Sequence, residues 1–376
     1  ATILKPGVTM ADAIENIDIG GVTLIRAAGK NSDSVTLLTD PEDYPGFVEA
    51  FKAGTLDDAF RKNMALKGFR HTAQYDTLIS QYLAKELEDS ELPEQMSLTY
   101  EKQQSLRYGE NPHQSAAFYR EISDLDGRLS GAVQLHGKEL SYNNIGDASA
   151  AIEMIREFTE PTVVALKHAN PCGVGTADTL FGAYERAYKA DPVSIFGGIV
   201  VLNGEVDEAT AVEMNKIFLE IVIAPAYSET ALAILKKKKN LRLLQLADII
   251  NPATPEPYFY KKVDGGLLIQ EADHHVMDDE DYKVVTEKQP TEQEWADLKL
   301  AWKVVKHAKS NAIVVVKDGA TQGVGAGQTS RIWAVDNALD RSKSSTEGSS
   351  LASDAFFPFR DGIDAAAEAG IKAIIQ

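Results

Sequence analysis

The chain has 376 residues, 44% hydrophobic and 25% charged, with 56 acidic residues against 38 basic ones and a net charge of −18. That balance belongs to a globular protein of about two or three domains. It excludes a general binder of nucleic acid or anionic membrane, which so acidic a field would repel, while leaving open a phosphate-bearing small molecule met by local cations.

No apolar run reaches the roughly 18 residues of a membrane span, and Ala1-Thr2-Ile3-Leu4-Lys5-Pro6 lacks the layout of a secretion signal, so a cytoplasmic location is expected. Cys172 is the sole cysteine, which rules out an internal disulfide and a Cys-rich zinc site.

Residues 1–45 predict short helices and then a strand at Val35-Thr36-Leu37-Leu38, closed by the turn Asp40-Pro41-Glu42-Asp43. Residues 46–90 predict helix, with apolar residues at Phe47, Phe51, Phe60, Met64, Phe69 and Leu78. The polar stretch 90–99, containing Pro93, marks a boundary, dividing the chain into domains 1–99 and 100–376. Beyond it strand and helix patterns alternate. Thr162-Val163-Val164-Ala165-Leu166 and Ala312-Ile313-Val314-Val315-Val316 are runs of the kind buried on both faces of a sheet. Residues 193–202 read as a further strand interrupted by glycines, and helix patterns fall at 145–158, 177–190 and 207–221. Thr291-Glu292-Gln293-Glu294 is a capping box opening a helix that runs to residue 309. Gly370 reads as a helix end followed by a buried strand. The fold class is α/β, layered, with a mainly parallel or mixed sheet. The acidic stretch 271–281 and the Ser-rich stretch 341–350 read as flexible, solvated loops.

Four clusters could carry chemistry. Lys167-His168-Ala169-Asn170-Pro171-Cys172-Gly173 follows directly on a buried strand, where ligand sites of α/β sheets lie. There a lysine beside a histidine favours neutral imidazole and so a proton acceptor, against the alternative of a surface Lys and a turn-bonded His. Arg107-Tyr108-Gly109-Glu110-Asn111-Pro112-His113 offers an anion-binding Arg and flat rings, or simply a well-bonded turn. Gly323, Gly325 and Gly327 lead to Arg331 without a dinucleotide or P-loop spacing, which leaves a close backbone approach or a hairpin. Asp354-Ala355-Phe356-Phe357-Pro358-Phe359 suits either core packing or a fused-ring slot. His274-His275 with Asp273, Asp278 and Asp279 read as an acidic loop rather than metal ligands, Lys236 to Lys239 as a solvated helix end, and Cys172 as an inert residue.

In order along the chain, Leu106-Arg107-Tyr108-Gly109-Glu110-Asn111-Pro112-His113-Gln114, Lys167-His168-Ala169-Asn170-Pro171, Ser194-Ile195-Phe196-Gly197-Gly198, Gly325-Ala326-Gly327-Gln328-Thr329-Ser330-Arg331 and Ser353-Asp354-Ala355-Phe356-Phe357-Pro358-Phe359 form one set. The set closely resembles the family of bifunctional purine-biosynthesis enzymes with aminoimidazole carboxamide ribonucleotide (AICAR) transformylase and IMP cyclohydrolase activities. The resemblance implies that residues 100–376 are a transformylase domain of two related α/β units with a cytidine-deaminase-like fold. It implies that residues 1–99 are the C-terminal part of a methylglyoxal-synthase-like cyclohydrolase domain.

By the same resemblance the reaction moves a formyl group from 10-formyltetrahydrofolate, the co-substrate, to the 5-amino group of AICAR. His168 matches the family's proton acceptor, Lys167 its transition-state stabiliser and Asn311 a substrate-orienting amide. Arg107, Tyr108, His113, Gly197, Glu220 and Arg331 match nucleotide-binding positions. Ile332, Phe356 and Asp361 match folate contacts. Asp18, Ile19 and Lys30 match the nucleotide pair and the proton donor/acceptor of the cyclohydrolase. No metal is implied, and a homodimer with sites at the subunit interface is. The family's phosphate-binding loop and its folate-side tail find no counterpart in the sequence, and 341–350 is shorter and more Ser-rich, so the chain reads as truncated at both ends. A cyclohydrolase acting alone and a non-catalytic nucleotide-binding fragment are the alternatives.

Overall fold

The computed structural model describes residues 2–5, 7–87, 92–122, 125–252, 257–275, 282–342 and 346–376. The expectations for 88–91, 276–281 and 343–345 lie outside the described residues. The chain divides into two compact units, Ala1–Glu101 and Lys102–Gln376.

The described part of the first unit is helical: α1 (Met10–Glu15), α2 (Gly20–Lys30), α3 (Tyr44–Ala53) and α4 (Asp58–Leu87). A capping box of Thr9 and Asp12 starts α1. The helical pattern expected over 46–90 forms two helices, because Gly54 takes φ 67° and ends α3. Val35-Thr36-Leu37-Leu38 is not a strand. Among the described residues no strand of this unit pairs with it, and an unpaired segment cannot satisfy a ladder. It runs irregularly with Leu37 buried.

The second unit opens with β1 (Tyr100–Leu106), β2 (Ala116–Glu121) and β3 (Val133–His136), followed by α5 (Tyr142–Ile155), β4 (Thr162–Lys167), β5 (Asn170–Thr176), α6 (Leu180–Ala190), β6 (Ile199–Leu202), α7 (Glu208–Met214), β7 (Ile221–Ala224), α8 (Glu229–Leu235) and β8 (Arg242–Gln245). A hairpin of β9 (Tyr258–Val263) and β10 (Gly266–Glu271) precedes α9 (Glu292–Lys306), β11 (Ile313–Lys317), β12 (Ala320–Gly325), α10 (Arg331–Arg341), β13 (Ser350–Ser353), α11 (Asp361–Glu368) and β14 (Ala373–Ile375). Ten strands form one mixed sheet in the order β14-β13-β11-β12-β5-β4-β6-β7-β8-β3.

That order contains one motif twice. In each half a helix leads into an antiparallel hairpin, β4–β5 or β11–β12. The first hairpin strand pairs antiparallel with the next strand, β6 or β13, which pairs parallel with its successor, β7 or β14. Both hairpins carry a register shift at the same place, after Ala165 and after Val315. The halves join where β5 meets β12 antiparallel at Gly175 and Ala320. There Thr321 Oγ1 accepts the Val174 N–H at 2.9 Å, and Thr176 N–H donates to the Gly319 carbonyl at 2.9 Å. The α/β class and the two related units expected from the sequence describe this arrangement.

Alternation along the central strands explains the layers. Val164 and Leu166, with Val314 and Val316, pack on α5 and α9, while Val163 and Ala165 face α6 and α7 and Ile313 and Val315 face α10 and α11. Residues 162–166 and 313–316 are fully buried, as a strand covered on both faces must be. The expected strand over 193–202 shrinks to β6, because 193–198 form a turn in which Gly197 has φ 71°. The helix expected at 207–221 ends at Met214, where Asn215 caps it. Gly370, at φ 86°, completes a Schellman end to α11: its N–H reaches the Ala367 carbonyl and that of Ile371 the Ala366 carbonyl, both at 3.0 Å.

The alternate glycines of β12 serve the sheet and not a ligand. A Cβ on Gly323 or Gly325 would fall on the carbonyl oxygen of Ala338 or Ala334 in α10. Gly325→Ala is therefore expected to destabilise the second unit by about 1–3 kcal/mol, because helix backbone cannot yield as a side chain can. Gly146→Ala in α5, where a Cβ meets open space, is expected to be neutral or stabilising by up to about 1 kcal/mol. Thermal melts of the two variants against the parent check both signs.

Candidate active site

The sheet places several of the predicted residues along one end. β4 ends there on Lys167, and the two-residue connection to β5 is His168-Ala169, flanked by the pair Lys167 and Asn170. His168 and Ala169 both adopt left-handed backbone, φ 53° and 54°. Non-glycine residues pay about 1–2 kcal/mol each for this conformation. The turn is held by its neighbours: Asp147 Oδ1 accepts the Ala169 N–H, and Asn170 Nδ2 donates to the His168 carbonyl, both at 2.9 Å. His168 is exposed, so its imidazole faces solvent at the sheet end.

Antiparallel pairing of β4 with β6 brings the loop before β6 alongside. Lys167 Nζ donates to the Phe196 carbonyl at 2.8 Å, next to Gly197, whose own N–H bonds the Phe218 carbonyl at 2.8 Å. Glu220 stands before β7 at the same end, its N–H on the Gly198 carbonyl at 3.0 Å and its carboxylate 2.7 Å from Arg242. Glu220 thus arrives already paired with a cation.

The second half supplies the other side. Asn311 precedes β11 and is locked to Gln328, whose carbonyl accepts its N–H at 3.1 Å and its side-chain amide at 2.8 Å. The Lys309 N–H approaches Asn170 Oδ1 at 3.4 Å, tying this segment to the His168 hairpin. Arg331, only 8% exposed, bonds the Asp354 carboxylate and the Ala312 carbonyl, and among the described residues its Nε has no hydrogen-bond partner. Burial works to raise the Asp354 pKa. The Ser310 hydroxyl, the Ala312 N–H and the Arg331 guanidinium outweigh it and hold the carboxyl below the usual range. Ile332 is half-buried against the α10–α11 core, while Phe356 is 70% exposed. Asp361 opens α11, accepting the Gly362 N–H at 2.8 Å.

Other predicted residues stand elsewhere. Arg107, Tyr108 and His113 lie in the loop between β1 and β2, with the guanidinium 5.5 Å from the Tyr108 ring centre. Among the described residues no hydrogen bond or ion pair joins them to the sheet end. Asp18 and Ile19 precede α2 and Lys30 closes it, so about 16 Å of helix separates them. Asp18 Oδ1 accepts the Gly21 N–H at 3.0 Å.

Burial, followed by the charge of Asp191, pushes the Cys172 thiol up to about 12, which agrees with an inert cysteine. His274 and His275 gather with no third metal-ligating side chain among the described residues, and Asp278 and Asp279 lie outside them. A cavity of about 340 Å³, lined by Thr176, Asp297, Trp302, Lys303 and Gly319, lies at the opposite end of the sheet.

Sequence reasoning missed Asp147 altogether and passed over Asn170, Gln328 and Asp354 as partners. One signal was available: Lys167 and Gly173-Val174-Gly175 recur at the same spacing as Lys317 and Gly323-Val324-Gly325. Superposing the two segments sets Asp147 over Asp297.

Removing the Asp354 carboxylate leaves the Arg331 charge buried, so Asp354→Ala is expected to cost about 3–5 kcal/mol. Because the folded pKa is depressed, this contribution is complete above the ordinary Asp value of about 3.9 and fades as pH falls through the lower folded value. Thermal melts of parent and variant from neutral pH down to about pH 2 check this, and the two curves are expected to converge at the acid end.

The sequence profile of the AICARFT/IMPCHase bienzyme family matches residues 28–341. The bifunctional purine biosynthesis protein PurH of Acetivibrio thermocellus is 55% identical over 377 residues, covering 100% of this chain and 73% of the relative. PurH of Thermoanaerobacter sp. is 56% identical and that of Ruminiclostridium cellulolyticum 54%, with the same coverage. A match of this identity across the full chain leaves one assignment: the chain belongs to the AICARFT/IMPCHase bienzyme family.

Proposed function

We propose that this chain acts in purine biosynthesis as a formyltransferase, carrying the formyl group of 10-formyltetrahydrofolate to the 5-amino group of AICAR. Residues 100–376 are assigned to the transformylase domain, and residues 1–99 to the C-terminal part of the cyclohydrolase domain that closes the product to IMP. The observation that carries the assignment is the exposed His168 beside Lys167, on a turn whose backbone is left-handed at two non-glycine residues. Strain of that kind concentrates at functional sites.

In the transfer, the amine nitrogen attacks the formyl carbon and a C–N bond forms. His168 takes the proton that the amine sheds and passes it to the folate nitrogen as the bond from the formyl carbon to that nitrogen breaks, so no net proton is gained or lost. The amine is a weak nucleophile, since its lone pair is shared with the imidazole and carboxamide, so placement and proton removal supply much of the rate. The Lys167 ammonium stands by the oxygen that gains charge, and the Asn311 amide, fixed by Gln328, orients the carboxamide or formyl group.

Arg331 and the Gly197 loop are contacts for the nucleotide, with Glu220 at a polar group of it and Arg107, Tyr108 and His113 as further nucleotide contacts. The exposed Phe356 ring, with Ile332 and Asp361, suits a pterin, whose face is flat and whose edge carries N–H donors. Asp18, Ile19 and Lys30 are the cyclohydrolase contacts. Its partners are small molecules and a second copy of the chain in a homodimer, and its location is the cytoplasm.

His168→Ala is expected to lower the turnover of formyl transfer by about 10²–10⁴-fold, the range for removal of a positioned proton acceptor. Lys167→Ala is expected to lower it comparably, and calorimetry should show AICAR binding retained in both. Unchanged turnover in both variants refutes the assignment. AICAR binding by the parent chain without any formyl transfer makes it a nucleotide-binding fragment instead.

A further inference from the structure

The hairpin that presents His168 occurs twice, and the second copy shows what such a turn requires. β11 and β12 are joined by Asp318-Gly319, φ 52° and 73°, residues well suited to a two-residue turn with left-handed backbone. Asp297 of α9, 3% exposed, accepts the N–H groups of both, at 3.0 and 2.9 Å. β4 and β5 are joined by His168-Ala169 in the same conformation with no glycine to ease it. At the matching place in α5, Asp147 accepts the Ala169 N–H at 2.9 Å.

The two helices enter alike as well, each through a capping box, Ser141 with Asn144 and Thr291 with Glu294. A helix-to-turn tie is therefore built with two N–H donors over favourable turn residues and with one over unfavourable ones. In the second case the tie has more to hold, because an alanine in left-handed backbone relaxes toward other conformations when released. His168 would move with it.

We infer that Asp147 is a positioning residue for formyl transfer, its carboxylate oxygen fixing the backbone from which the His168 imidazole reaches the substrate. The inference rests on the function proposed above. What the turn needs from Asp147 is an acceptor oxygen and not a charge, and this separates the idea from an electrostatic role.

Asp147→Ala is expected to lower kcat by about tenfold or more, since displacements near 1 Å reach about a hundredfold, while KM for AICAR stays within about threefold. Asp147→Asn keeps an acceptor oxygen and is expected to return kcat to within about threefold of the parent. Adding Ala169→Gly to Asp147→Ala is expected to recover part of the loss, since glycine accepts the φ unaided. Equal losses in the Ala and Asn variants, or an unchanged kcat in Asp147→Ala, overturn the inference.

Hydrogen exchange read by mass spectrometry tests the tie independently of activity. Asp147→Ala is expected to speed exchange in the peptide spanning 162–176, and Asp297→Ala in the peptide spanning 313–325. Unchanged exchange at 162–176 overturns the inference whatever the turnover. Faster exchange there in a chain whose His168→Ala variant still transfers formyl at the parent rate overturns the proposed function instead.

Discussion

Two helices lie on the backbone of the central strands with no side chain between, and the rest of the second unit is arranged around that approach. α6 covers Gly173 and Gly175 of β5, where a Cβ would strike the Ala187 and Ala183 carbonyls, and α10 covers Gly323 and Gly325 of β12 in the same way. Close contact on one face leaves Val174 and Val324 to point at the other, into the core shared with α5 and α9. The two glycine strands are then the pair that meets at the seam between the halves. Because β5 and β12 pair antiparallel, the two hairpins turn at opposite ends of the sheet. A site built on such an end is more precise than one built on a long loop.

That geometry also divides the labour. At one end the turn is His168-Ala169, beside Asn311 and Gln328 from the other half. At the other end the turn is Asp318-Gly319, and the positions matching Phe196, Gly197 and Glu220 are Glu347, Gly348 and Lys372. Lys317 Nζ still donates to a carbonyl there, that of Glu347 at 2.7 Å, but Glu347 is also ion-paired with Lys372 at 2.7 Å. An imidazole carries a ring nitrogen that can accept or donate a proton where a carboxylate has oxygen acceptors alone, so exchanging His for Asp changes the chemistry available at the turn. The duplicated frame keeps its packing at both ends and carries the Lys-His pair at only one.

Much of this was legible in the sequence, and the exceptions have physical causes. β4 and β11 were readable because a strand covered on both faces must be apolar without alternation, and few other environments demand that. The helix at 291 was readable from its capping box. Residues 193–198 misled because apolar residues around glycines look like a strand, whereas Phe196 is 56% exposed and Gly197 turns the chain. Val35 to Leu38 misled because β propensity is local and pairing is not. Of the candidate site, His168, Lys167 and Arg331 stand in motifs, and Asn311 could be named only through the family resemblance. Their supports could not: Asp147 is one acidic residue in a helix, and its relation to Ala169 depends on tertiary packing across 22 positions of sequence.

Arg331 shows how such supports shape a site. Read as a free cation awaiting an anion, it is in fact buried, with one side committed to Asp354 and the Ala312 carbonyl. A buried ion pair contributes little net stability over apolar residues of the same size, because desolvation offsets the attraction. Its presence here is better explained by orientation. Asp354 and Ala312 fix the plane of the guanidinium, and Nε is buried without a hydrogen-bond partner among the described residues. A buried donor left unsatisfied costs about 1–3 kcal/mol. That cost stands against the pair as well, so the arrangement fixes the direction of one guanidinium rather than adding to stability.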